Sequence, residues 1–327
     1  MKKVLLAIAA VATITSCSQS EDFENPGQKA EISFGTIVRN STRADILTTN
    51  SITKFAVSGF KTSENMTSET QLATGFIDNL SVTKGLEDKW SYTGNTLYWP
   101  YTGKVQFFAS SPAQTLDVST AAGYPTFKYT VKEVASQEDL VAANLINKDR
   151  ASGALIFPFQ HLLTQVNLSI KGDTPDFTYT VTRVELKDLK DGGVFTFDGT
   201  ENVGSWSGLT ATASSLTHDF TNNNTVVPTV ANLEAKTNLE ESGKALFMLM
   251  PQDASSITLN ITYSSVNGSL NGFSGTKTVT LSGNWEKGHN IRYVLKLTSD
   301  TTPVTFSAPS VGDWVNDSDS DKTTPAA

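Results

Sequence analysis

The 327-residue chain combines a net charge of −8 with 38% hydrophobic residues and a single cysteine. Its length is sufficient for two domains of ordinary size. Because no basic patch is available to neutralise phosphates, we do not expect a nucleic-acid partner. One cysteine cannot form an internal disulfide, so stability must come from hydrophobic cores and strand pairing.

The first 17 residues have the layout of a secretory signal. Lys2 and Lys3 precede an apolar run of about 11 residues, 4–14, that ends just before Cys17. This run is too short for a membrane-spanning helix, which needs about 20 residues, and suits a signal peptide. Residues 14–17, Ile-Thr-Ser-Cys, resemble a bacterial lipobox. We therefore predict a signal peptide at 1–16 and a lipid on Cys17; the alternative is an incidental cysteine in an ordinary signal peptide.

Residues 17–29 are predicted to form a flexible tether. They are polar, include a Pro-Gly pair and have three acidic residues close behind Cys17, so they cannot bury a core. Acidic residues at this place resemble the surface-export signal of Bacteroides-type lipoproteins, and a solvated linker is the alternative. Removal of residues 1–16 changes the net charge to −10, with 23 basic and 33 acidic residues remaining.

The body of the chain alternates apolar and polar residues with period two, which is typical of antiparallel strands with one solvated face. Asn-Gly and Asp-Gly pairs separate the alternating segments and indicate turns. The pattern predicts an all-β fold. One stretch, 136–147, has the capping and spacing of a short helix. The clearest alternating segments are 54–60, 104–109, 126–131, 178–186, 257–263 and 277–281.

The stretch at 148–153 is the best candidate for a domain boundary, because six or more strands can be counted on each side of it. We place an N-terminal β-sandwich domain at 30–152 and a C-terminal one at 153–312. Residues 210–238 are predicted to be a long loop or a weak edge hairpin. Residues 313–327 form a polar tail, whose carboxylates lack the pattern of a calcium loop.

The sequence has no recognisable catalytic pattern. None of the three histidines lies in a motif, and no nucleophile elbow, P-loop or HExxH sequence occurs. His161, next to an apolar strand, is expected to be structural. We therefore predict a protein that is not an enzyme, with no catalytic residue, no metal site and no cofactor.

Aromatic residues concentrate between 90 and 108. Trp90 and Trp99 are expected to fill a core as parts of a hairpin, since buried aromatics are the common case. The alternative is a sugar-stacking platform on a monomeric, surface-anchored lipoprotein that binds glycan. That function would need Trp90 or Trp99 to be exposed.

Residues 92–112, YTGNTLYWPYTGKVQFFASSP, resemble the signature of the fimbrillin family of Bacteroidales. Three further pieces agree in order, at 138–140, 159–166 and 285–297. The resemblance implies two tandem antiparallel β-sandwich domains of transthyretin-like topology and a structural role in a cell-surface fimbria. It also implies other fimbrial subunits as partners, attachment to the outer membrane through the lipid, and host or bacterial surface ligands.

The resemblance further implies cleavage after an arginine, which frees the first strand and opens a groove for a donor strand from another subunit. Here the first strand would be 31–38, with Ile32, Phe34 and Val38 on one side. The cut would separate Arg43 from Ala44, with Arg39 as the competing site. An uncut arginine is the alternative, because anchor subunits keep this strand.

A donor segment would lie near the C-terminus. Its residues Val304, Phe306 and Ala308 alternate with polar neighbours as an inserted strand requires, and Pro303 before them disfavours a helix. The same residues could equally form the last strand of their own domain.

Overall fold

The computed structural model describes residues 29–38, 51–73, 75–118, 122–200, 203–213, 215–220, 225–227, 235–241 and 244–313. The predicted all-β fold is confirmed: apart from three 3₁₀ turns, the regular structure in these ranges is β. None of the described residues belongs to a helix that is long and apolar enough to cross a membrane. The strands before residue 162 are β1 Phe34–Val38, β2 Lys54–Thr62, β3 Ile77–Lys84, β4 Trp90–Tyr92, β5 Lys104–Ser111, β6 Thr126–Thr130, β7 Val141–Lys148 and β8 Leu155–His161.

The later strands include the long antiparallel strands of the C-terminal part. They are β9 Thr164–Gly172, β10 Thr178–Lys187, β11 Gly192–Phe197, β12 Gly204–Thr210, β13 Ser215–Asp219, β14 Thr225–Val227, β15 Thr237–Asn238, β16 Phe247–Leu249, β17 Thr258–Asn267, β18 Leu270–Thr280, β19 His289–Leu297, β20 Thr305–Phe306 and β21 Ser310–Asp313. Gly268, with φ +56°, turns β17 into β18 at the predicted Asn-Gly site.

A seven-stranded sheet in the order β1-β8-β7-β5-β2-β3-β4 surrounds the first core. Its inward side chains come from alternate positions of each strand, and Phe55, Phe107 and Phe157 are among the largest of them. The sheet curls, because the ring of Phe34 on β1 lies 5.7 Å from that of Tyr92 on β4, at the opposite end of the strand order. The two ends of the sheet therefore meet over one core.

The second core lies between two further sheets. One has the order β13-β10-β17-β18, with β14 beside β10; the other has the order β15-β9-β19-β20, with β16 beside β9 and β21 beside β19. Alternate residues of β9, β10, β17 and β19 point into this core, as in a sandwich. Its largest buried side chains include Trp285, Tyr179, Tyr263 and Tyr293.

The second core continues onto the outer face of the first sheet. β6 pairs with β11 in a three-stranded sheet, β12-β11-β6, and the rings of Phe108 and Phe197 are 5.0 Å apart. Side chains from the first half of the chain, such as Phe60 and Ala142, therefore belong to the second core. The two cores are neighbours on opposite faces of one sheet.

The strand pairing does not change at the predicted boundary of 148–153. β8 still belongs to the first sheet, where it pairs with β1 and β7, and the change of sheet comes after His161. The physical reason is a non-local contact, because β8 pairs with β1, which lies more than 100 residues earlier in the sequence. The division of the chain into two domains stays a prediction.

The predicted helix at 136–147 is wrong, because most of this stretch is β7. Its residues are buried on both faces: Val141 and Ala143 contact the first core, whereas Ala142 contacts the second. Such a strand is apolar at successive positions and loses the period-two signal. In 210–238, the described residues contain β13, β14 and β15; β13 and β14 pair with β10, and β15 pairs with β9.

Candidate functional site

The candidate site is the edge of the first sheet, where the first strand lies. β1 pairs with β8 in parallel, from Phe34 opposite Leu155 to Val38 opposite Phe159. The Leu155 amide also donates to the Ser33 carbonyl at 2.9 Å. These bonds occupy one edge of β8, which would be left with unpaired amides and carbonyls if β1 were absent.

The residues just before β1 attach to a second segment. The Ile32 amide donates to the Leu97 carbonyl at 2.9 Å, and the Trp99 amide donates to the Ala30 carbonyl at 3.0 Å. This pairing is antiparallel, around a bridge between Glu31 and Tyr98. The first strand therefore pairs with β8 and, through residues 30–32, with the segment at 97–99.

The side chains of this strand fill a groove in the first core. Ile32 is fully buried and Phe34 is 8% exposed, whereas Ile37 on the other side is 46% exposed. The Phe34 ring lies 6.2 Å from Phe157 and 6.4 Å from Phe107. As predicted, Ile32 and Phe34 are on one side. Val38 is in the strand, but its side chain lies outside the described residues.

Trp90 and Trp99 belong to the walls of the same core. Trp99 is 8% exposed and its ring lies 5.8 Å from Phe107, while the half-buried Trp90 lies 5.1 Å from Phe55. Both tryptophans pack as the hairpin interpretation expects. A sugar-stacking platform on Trp99 would have no exposed ring to use.

The predicted donor segment packs against its own chain. β20 and β21 both pair antiparallel with β19, at the edge of the second sandwich. Val304 is 4% exposed and the half-buried Phe306 ring lies 5.6 Å from Tyr293, while Ala308 is exposed. Of the two possibilities that the sequence left open, this structure has the segment as the last strand of its own sandwich.

A lysine that the sequence analysis did not single out fixes the turn before this segment. Lys277 Nζ donates to the carbonyls of Asp300 at 2.6 Å and Thr302 at 2.5 Å, and to Thr298 Oγ1. Its ammonium also lies 4.3 Å from the centre of the Phe273 ring. The alternation of β18 places Lys277 on the same side as Phe273, and this inward position could have identified it.

The three histidines have separate surroundings. His161 is buried, with Nδ1 2.8 Å from Asp139 Oδ2, which fits a structural residue at a strand end. Burial lowers the pKa of His218, whose ring lies 4.4 Å from Phe220. His289 Nδ1 is 3.8 Å from Glu286 Oε2.

Three of the predicted site residues lie outside the described residues. They are Cys17, Arg43 and Ala44. Lipidation and cleavage therefore stay predictions. The structure describes the first strand, which lies between Cys17 and Arg43 in the sequence, and the groove that this strand fills.

Comparison with known proteins gives a family and a fold. The sequence profile of the fimbrillin-like family matches residues 42–314. A fimbrial protein from Bacteroides vulgatus is 22% identical, with a TM-score of 0.65 over 86% of this chain and 99% of that chain. A candidate cell adhesion protein from Bacteroides uniformis is 17% identical, with a TM-score of 0.51 over 88% of this chain and 99% of that chain. Among curated proteins, none matches the sequence.

Proposed function

The chain belongs to the fimbrillin-like family of fimbrial-type surface proteins, and on this basis we propose that it is a structural subunit of a cell-surface fimbria. In this proposal the chain is exported as a lipoprotein through Cys17, is cut between Arg43 and Ala44, and assembles by donor-strand exchange. It carries out no catalysis. The observation that supports the proposal is β1, an edge strand whose side chains fill a groove in the first core.

The groove explains why loss of β1 would lead to assembly. Burial of a side chain such as Ile32 or Phe34 contributes about 1.5–3 kcal/mol, and the paired backbone groups of β8 would lose their partners. A cut subunit whose first strand leaves therefore has an apolar groove beside an open strand edge. A strand from another subunit satisfies both requirements at once.

The C-terminal segment has the spacing that the groove requires. Val304, Phe306 and Ala308 recur at every second residue, as Ile32, Phe34 and Thr36 do. Aligned in this way, Phe306 of an incoming strand takes the place of Phe34 among Tyr92, Phe107 and Phe157. β20 is only two residues long, so few backbone bonds hold this part of the segment in its own sandwich.

The position of the mature N-terminus tests the proposal. Mass spectrometry of protein from the cell surface should find Ala44 as the first residue. Arg43→Ala should leave folded monomers that keep the first strand and do not polymerise, whereas Arg39→Ala, the matched control, should be processed and assembled as the natural chain is.

Two outcomes would contradict the proposal. Lipidated Cys17 as the only mature N-terminus would make the chain a fixed anchor or a binding lipoprotein. Protein that is cut after Arg43 and stays monomeric at high concentration would exclude assembly by strand exchange.

A further inference from the structure

One residue of β1 does not match the groove that the strand fills. Thr36 lies on the inward side, two residues after Phe34, and is paired in register with the fully buried Phe157. Its Oγ1 is buried and has no hydrogen-bond partner among the described residues. Thr36 as a whole is half-buried, but its hydroxyl oxygen, the one polar side-chain atom on the inward side of Phe34–Thr36, has no partner among the described residues.

An unsatisfied hydroxyl weakens the attachment of the strand. In solvent the hydroxyl bonds to water, and in the groove it loses those bonds without replacing them. The usual size of this penalty corresponds to a roughly ten- to hundredfold shift in the opening equilibrium of the segment. Ile32 and Phe34 favour the closed strand, whereas Thr36 opposes it.

We infer that the Thr36 hydroxyl makes β1 a weak occupant of its groove, so that an apolar strand from a second copy of this chain displaces it. The inference rests on the proposed strand exchange. It adds a reason why the donor strand should replace β1 in the groove rather than the reverse. In the alignment given above, Ala308 of the donor takes the position of Thr36. Alanine has no side-chain polar atom to leave unpaired, while Val304 and Phe306 replace Ile32 and Phe34 with residues of the same class.

The weakness of β1 can be measured before any cleavage or assembly. Hydrogen–deuterium exchange of the full chain, followed by mass spectrometry, reports the opening of the peptide that covers 29–38. Thr36→Val keeps the shape and removes the hydroxyl, and should lower the opening equilibrium of this peptide about tenfold or more. Thr36→Ser keeps a hydroxyl and should show no such protection.

A control variant separates the hydroxyl from a general effect of valine. Thr83 lies on the exposed side of β3 in the same sheet, so Thr83→Val should leave the opening of 29–38 unchanged. Equal opening of 29–38 in the natural chain and in Thr36→Val would overturn the inference.

Strand exchange is then measured on the cut proteins. A synthetic peptide of residues 303–313 should enter the groove of the natural protein faster, by about tenfold or more, than that of Thr36→Val. Equal entry rates would overturn the inference about direction. If Thr36→Val is protected but the peptide enters neither protein, β1 is a weak occupant and it is the proposed strand exchange that fails.

Discussion

β1 and the C-terminal pair of β20 and β21 both lie at sheet edges and both close a core, yet different interactions hold them. β1 is held by Phe34 and by Ile32 just before it, because both side chains are almost fully buried. The C-terminal pair has one such side chain beside it, Val304 just before β20, and depends on the turn that Lys277 fixes. An edge segment can thus be held by its buried side chains or by the turn that connects it to the rest of the chain. Segments held in these two ways should be released by different events.

The comparison suggests an order of events in assembly. A strand held by buried side chains stays in place while it is covalently attached, so its release requires a cut in the chain that follows it. A segment held at its turn needs only local opening to become available. In the proposed function, cleavage therefore prepares the groove and turn opening supplies the donor.

The largest expected effect tests whether side chains hold β1. Phe34→Ala should lower the free energy of unfolding by about 3–5 kcal/mol, the usual cost of deleting a buried aromatic side chain. Ile37→Ala, on the exposed side of the same strand, should cost about 0.5 kcal/mol. Urea denaturation of the full chain measures both, and equal losses would show that β1 is not held by its buried face.

The second prediction moves to the donor. Phe306→Asp should allow cleavage and abolish polymer growth, because an incoming strand would place a carboxylate in an apolar groove. In the monomer it should cost roughly 1–2 kcal/mol, since Phe306 is only half buried. Sedimentation of cut protein measures the polymer.

Thr305→Asp is the matched control for the donor, because Thr305 is exposed and its side chain points away from Phe306. It should assemble as the natural chain does. If Phe306→Asp forms polymer in normal amounts, Phe306 is not part of the donor strand, and another strand of the chain must fill the groove.

Most of the strands could be predicted from the sequence, because their two faces meet different surroundings. The segments at 54–60, 104–109 and 178–186 all lie inside observed strands. β7 was missed, since both of its faces are buried and alternation disappears. The pairing of β1 with β8 was also missed, because parallel pairing between distant segments leaves no local signal.

The candidate site likewise has features that the sequence predicts and features that it does not. The inward position of Ile32 and Phe34 follows from period two and was predicted. The roles of Thr36 and Lys277 depend on which atoms tertiary packing brings near them. Satisfaction of a hydrogen bond is a property of the folded neighbourhood, so a hydroxyl in a strand and a lysine in a strand look ordinary until the structure shows their surroundings.

The smallest predicted effect concerns the turn that holds the C-terminal pair. Lys277→Met keeps an unbranched side chain over Phe273 but removes the ammonium that donates to Asp300, Thr302 and Thr298. Hydrogen bonds to charged groups contribute about 1.5–3 kcal/mol, and partial exposure of Lys277 reduces this to about 1–2 kcal/mol. The opening equilibrium of residues 298–313 should therefore rise by about 5- to 30-fold, measured by hydrogen–deuterium exchange.

Two comparisons make the Lys277→Met experiment decisive for the turn. Lys128→Met, an exposed position on β6, should leave 298–313 unchanged, which separates a local effect from a general loss of positive charge. Within Lys277→Met itself, the peptide that covers 29–38 should keep its natural protection, because β1 is held by its own buried face. If residues 29–38 and 298–313 open together in Lys277→Met, the two edge segments form one cooperative unit. Cleavage of the chain before Ala44 would then empty the groove and free the donor segment in a single step.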